Sequence, residues 1–322
     1  MVMRKQRQAD LPVTAPSLPL SKSLAGLRNL AVSDTGSVAI LVTNRYQGMK
    51  WPDSTSMTLK GALKDRVHAQ KFLDKFTPGI RVVSVENARR EDIVCTLSFL
   101  RIEQLGDRVH QEGQIEKIQD DVPPLAVVYV QGHGERKYGA FQYITDDRKK
   151  DGTLDGLDGR ELLHMFSKVN IRTMSVVITD FCYSGNLFRL RYCLFVSSDG
   201  KDFYWLETNE WKEDNRVMPK HRITSPMLHV AGSLELQETY ETGFRGGYLT
   251  NTLAEVEPNT LPAFLFCLRQ GVDGHMRDAK AHRDKPLHQD AMQDPQARII
   301  FCSCTPSLED PEFFSQLYPG SD

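Results

Sequence analysis

Two short stretches carry the side chains best suited to chemistry. One is QGHGERKYG, residues 131–139, which sets His133 between two glycines; the other is DFCYSGN, residues 180–186, which sets Cys182 just past an acid. A thiol and an imidazole are the pair that nucleophilic acyl transfer requires, one to attack a carbonyl and one to move protons. Gly132 and Gly134 allow a sharp turn beside His133 and the close approach of a substrate carbonyl. The backbone N–H groups of Gly134 and Cys182 would then face the oxyanion, where one such donor contributes about 3 kcal/mol. Each stretch alone has a plainer reading, Gly-His-Gly as a turn and Cys182 as a small core residue. Found together, at the ends of two similar apolar runs, they are far more specific. Asp180 sharpens the point, because an acid at the end of a buried run is costly unless something pairs with it.

The elements that must position these residues alternate in type. Residues 37–43, 80–85, 125–130, 175–179, 227–230 and 298–302 are short Val/Ile/Leu-rich runs and predict buried strands. Apolar spacing predicts helices over 59–76, 90–105, 247–256 and 261–271. The Asp/Gly-rich stretch near 146–157 reads as a loop, and Asp158 with Glu161 as the capping arrangement of a helix over ELLHMFSKV. Strand–helix alternation predicts a mostly parallel sheet of about six strands with helices on both faces. In such sheets, sites form where strands end. His133 and Cys182 follow the third and fourth strands, so they emerge side by side if those strands are neighbours.

Bulk properties narrow the function classes. The 322 residues are 25% charged and 40% hydrophobic, with a formal net charge of −2. That balance gives no support to a nucleic-acid or anionic-membrane surface. No apolar stretch is long enough to span a bilayer. The six cysteines form no C-x-x-C pair, so free thiols in a reducing cytosol or nucleus are expected. Residues 1–35 read as a disordered leader and 305–322 as a tail. The domain between them, 36–304, divides into a large part (about 36–190), an insertion or linker (about 191–226) and a small part (about 227–304).

At this point the chain resembles a family. LAVVYVQGHG followed by SVVITDFCYSG is similar to the His and Cys motifs of the caspase–metacaspase peptidases, closest to metacaspases through D-x-C-x-S-G. The likeness extends to LKGALKDRVHAQKFL, residues 59–73, and to MLHVAGSLELQETYETGFRGGYLTNTL, residues 227–253, and spans about 36–302. It implies a caspase-like three-layer sandwich and a Cys182–His133 dyad. It also implies a substrate pocket lined by Asp65 and Asp180, whose two carboxylates would select Arg or Lys before the scissile bond. Two positions depart from the family pattern: Ala62 stands where a cysteine is usual, and Gln131 where a serine is usual. Both lie near the pocket in the family.

Calcium is a further implication, since many metacaspases bind it through aspartates. Asp146, Asp147, Asp155 and Asp158 fall in a suitable region and offer the hard oxygens that Ca²⁺ requires. Arg189 stands where the family carries an acid, and Lys149 would occupy a ligand position of a calcium loop. Capping and solvation explain these acids better, and no cofactor is required. The resulting expectation is a cysteine endopeptidase acting on peptide or protein substrates. The alternatives are a caspase-fold signalling or scaffold module without turnover, and a non-peptidase hydrolase using the same dyad. The polar stretch 191–226, with Arg216, Lys220 and Arg222, reads equally as a surface insertion or as a self-cleaved loop.

Overall fold

The computed structural model describes residues 36–98, 100, 123–137, 139–212, 222–257, 260–282 and 286–300. Its centre is an eight-stranded sheet in the order β2-β1-β3-β7-β10-β13-β8-β9. Here β1 is Val38–Thr43, β2 Arg81–Glu86, β3 Leu125–Gln131, β7 Met174–Asp180, β8 Tyr192–Val196, β9 Phe203–Glu207, β10 Met227–Ala231 and β13 Gln296–Ile300. The first five strands in that order run parallel; β13, β8 and β9 add antiparallel at the other end. A second, antiparallel sheet joins β4 (Gly134–Lys137), β5 (Ala140–Arg148) and β6 (Leu154–Asp158). A small hairpin pairs β11 (Glu241–Thr242) with β12 (Gly246–Gly247).

Alternation along the strands divides the core into two. On one face Ala39, Leu41, Val127, Tyr129, Val176 and Ile178 pack with residues of α1 (Ala62–Phe76), α4 (Tyr248–Glu255) and α5 (Leu261–Lys280). On the other face Val38, Ile40, Val42, Ala126, Val128 and Val177 meet α2 (Arg90–Ser98) and α3 (Gly159–Ser167). The central strands are therefore mostly apolar on both faces, with the polar residues Thr43, Gln131, Thr179 and Asp180 gathered at their ends. Each fully buried aliphatic side chain contributes about 1.5–3 kcal/mol of transfer free energy. The predicted α/β architecture, a mostly parallel sheet between two helix layers, is the one observed. The α3 cap is also as predicted: the Asp158 side chain accepts from the N–H groups of Arg160 and Glu161, and the Glu161 carboxylate accepts from Asp158 N–H.

Three expectations need correction. The sheet has eight strands where about six were predicted, because β8 and β9 arise inside 191–226, a stretch read as an insertion. Its strands are short apolar runs, YCLFV and FYWLE, only half-buried and set in an otherwise polar stretch on either side of the charged turn at 197–202. The Asp/Gly-rich stretch read as a loop is instead the β5–β6 hairpin, turning at Lys149–Thr153. Helix α5 runs on to Lys280, past Gly271, where the sequence places its end, and through Gly274. The 1–35 leader, the 305–322 tail, Cys302, Cys304, Arg216 and Lys220 lie outside the described residues. Among the described residues, no helix is long and apolar enough to cross a membrane.

Candidate active site

Strands β3 and β7 lie side by side and end level, with Gln131 opposite Asp180. Beyond that pair, Gly132 N–H reaches the Asp180 carbonyl at 3.4 Å. Gly134 packs directly on the Cys182 carbonyl, and a Cβ there would collide with it. His133 and Cys182 thus leave the same sheet edge from adjacent strands, and the glycine is what lets the two loops touch.

The loop after β1 encloses the imidazole. Its Nε2 lies 2.7 Å from the Met57 carbonyl, its ring stacks near Tyr46 at 4.7 Å, and Trp51 meets it edge-on at 5.1 Å. A carbonyl oxygen only accepts, so Nε2 carries the hydrogen and Nδ1 keeps the lone pair available to a thiol. The Tyr46 hydroxyl accepts from His133 N–H and donates to the Ile144 carbonyl, which fixes the backbone as well. Burial pushes the imidazole below the ordinary histidine range, while the Met57 carbonyl pulls the other way. The resting ring is therefore neutral near pH 7.

The thiol sits under a different strap. Thr239 N–H points at Cys182 Sγ at 3.4 Å, and the Thr239 carbonyl and hydroxyl lie at 3.9 and 3.8 Å. Around it, Tyr183 N–H donates to the Gln237 carbonyl and the Ser233 hydroxyl to the Phe181 carbonyl. Burial pushes the Cys182 thiol up, and the Thr239 contacts only partly offset that. Among the described residues, no hydrogen bond joins the imidazole to the thiol.

Two carboxylates come together beside the dyad. Asp65, in the first turn of α1, accepts from Gly247 N–H at 2.7 Å, and its Oδ2 has no hydrogen-bond partner. Asp180 Oδ2 accepts from the Thr250 hydroxyl at 2.5 Å and the Thr250 N–H at 3.3 Å. Tyr129 buttresses that hydroxyl at 2.7 Å. Only 1% of Asp65 and 5% of Asp180 is exposed. Burial, followed by the charge of Asp180, raises Asp65 to about 8. Burial raises Asp180 to about 6, against the Thr250 bonds. The Gly246–Gly247 pair makes this packing possible: Gly246 is at φ +89°, and a Cβ on Gly247 would lie 2.5 Å from Asp180 Oδ2.

Sequence reasoning missed a third acid. Glu241 accepts from Gly61 N–H at 3.3 Å, and its charge is felt at Asp65. Burial raises it too. Nothing in its local sequence distinguishes Glu241 from a surface glutamate. Met57 and Thr239 also escaped notice, because they act chiefly through backbone groups that every residue has.

Ala62 is buried at the start of α1. Gln131 is buried as well, but Asn44 N–H engages its amide oxygen at 3.2 Å, on the β1 side. The calcium candidates are not gathered. Asp158 caps α3, Asp147 accepts from the Thr145 hydroxyl, and Asp146 keeps one buried oxygen without a partner. Among the described residues, no three His, Cys, Asp or Glu side chains form a metal ligand set.

No family model and no curated protein matches this chain. Two solved structures are similar in backbone course. Caspase-1 from Spodoptera frugiperda shares 14% identity at a TM-score of 0.49, covering 89% of this chain and 95% of that one. A protein from Geobacter sulfurreducens shares 15% identity at a TM-score of 0.42, covering 86% and 96%. Likenesses this remote assign no activity.

Proposed function

We propose that this chain is a cysteine endopeptidase of the caspase–metacaspase kind, cleaving after Arg or Lys. The observation that carries the reading is the level emergence of His133 and Cys182 from β3 and β7, with Asp65 and Asp180 packed beside them. Nδ1 of His133 takes the proton from Cys182 Sγ, and the sulfur attacks the peptide carbonyl. The Gly134 and Cys182 N–H groups hold the oxyanion. His133 returns the proton to the leaving amine, and the C–N bond breaks to give a thioester. Water, deprotonated by the same imidazole, then releases the acid and restores the thiol. Neither a metal nor a cofactor takes part, and the substrates are peptides or proteins of the cytosol or nucleus.

A specific observation favours a second reading, a caspase-fold module without turnover. The sulfur is held by Thr239 rather than by the imidazole, and both pocket acids are shut off from water. Fluorogenic peptides ending in Arg, Lys or Asp, with and without calcium, separate the two. The expected result is turnover of the Arg and Lys peptides that vanishes in Cys182→Ala. A folded protein with no turnover under any condition supports the module. Equal cleavage after Asp removes the role given to the two acids.

A further inference from the structure

A cavity of about 760 Å³ lies along the β4–β5–β6 sheet, lined by neither His133 nor Cys182. Its size falls in the range of small-molecule sites, roughly 300–1,000 Å³. Five cationic side chains line it (Arg90, Lys137, Arg148, Lys149 and Lys150) against three carboxylates, on a chain whose net charge is −2. We propose that this cavity binds a small anion carrying several phosphate groups.

The carboxylates are already committed within the fold. Asp158 and Glu161 form the α3 capping box, Glu161 also pairs with Arg90, and Asp155 accepts from Gly156 N–H. Arg148 is fixed by the carbonyls of Gly152 and Lys50. The turn that presents Lys149 and Lys150 is held by Lys149 N–H to the Thr153 carbonyl and Gly152 N–H to the Lys149 carbonyl. Both lysines are exposed. Arg90 is taken up by Glu161, and the remaining cations come from two segments, β4 and the β5–β6 turn. Several cations on separate segments suit a linked oligophosphate, whose charge is spread along a chain, and both ammonium and guanidinium groups suit phosphate oxygens. The floor connects to the dyad: Phe141 lines the cavity, stacks on Phe181 at 5.6 Å, and lies against Gly134.

The test is calorimetric titration of the full chain with sodium tripolyphosphate, repeated with ATP and with a poly-aspartate peptide at matched ionic strength. Expected is saturable binding of one tripolyphosphate per chain. It should weaken roughly tenfold or more in Lys149→Glu/Lys150→Glu, where two local attractions become repulsions. It should change less than about twofold in Arg172→Glu/Lys201→Glu, an equal charge change elsewhere on the surface. Circular dichroism confirms that both variants fold. ATP binding at the same site would show that the phosphates can be carried on a nucleoside; exclusion of ATP would restrict the site to free oligophosphates. Absence of saturable binding, equal weakening in both variants, or binding of poly-aspartate without tripolyphosphate overturns the proposal.

Discussion

Asp65 and Asp180 are two buried carboxyls held so close that the pair is pushed away from full ionisation at neutral pH. Asp65 titrates at about 8 and Asp180 at about 6. A guanidinium or ammonium entering the pocket needs those carboxylates ionised. KM for an Arg peptide should therefore fall as pH rises from about 6 to about 8, and Asp65→Asn should flatten the upper part of that profile. A wild-type KM independent of pH across this range would remove the acids from substrate binding. Gly134 gives a second test. A methyl group there strikes the Cys182 carbonyl, and displacing a reacting group by about 1 Å can cost 10²-fold in rate. Gly134→Ala should lower kcat/KM by about that factor with an unchanged circular dichroism spectrum. The residue types were legible in the sequence because thiol, imidazole and paired acids are chemically distinctive. Their supports were not, because a Met57 carbonyl and a Thr239 amide have no side-chain signature.

The central strands announced themselves through unbroken apolar runs, since both of their faces are covered. The two outermost strands of the antiparallel end are covered less completely. In β8, buried Leu194 sits next to exposed Phe195, and in β9 exposed Tyr204 and Leu206 flank Trp205. Their burial alternates while their sequences, YCLFV and FYWLE, do not, and five residues are too few to fix an element by periodicity. The β5–β6 hairpin was hidden for a related reason: its acids and glycines serve turns and a helix cap within a strand pair. The place of β8 in the sheet can be checked by urea denaturation. Leu194→Ala should cost about 2–4 kcal/mol as a core truncation, and Phe195→Ala less than about 1 kcal/mol. Similar small losses from both would mean that residues 192–196 belong to a surface insertion after all.

Across the whole molecule, the raised acids couple folding to pH. A carboxyl whose pKa is higher folded than unfolded binds more protons in the native state, so stability is greatest below about pH 4 for that group and declines as pH rises to its folded value. For Asp65 the window runs from about 4 to about 8, and for Asp180 from about 4 to about 6. The melting temperature of the ligand-free protein should decline between pH 6 and 8, by about 2–4 °C for each kcal/mol lost. Asp65→Asn should abolish most of that decline; a wild-type melting temperature that rises over the interval would contradict the burial of this acid. The enclosure of Cys182 bears on how the protein can be labelled. Cys95 and Cys267 lie at the surface, whereas Cys182 is half-buried under Thr239 and burial pushes its thiol up. A small alkylating reagent will therefore consume the outer thiols first, and total thiol titration will be a poor meter of the occupied groove. An electrophile attached to a guanidine would have to seat its cation before reacting, and would mark the inner sulfur ahead of the other two.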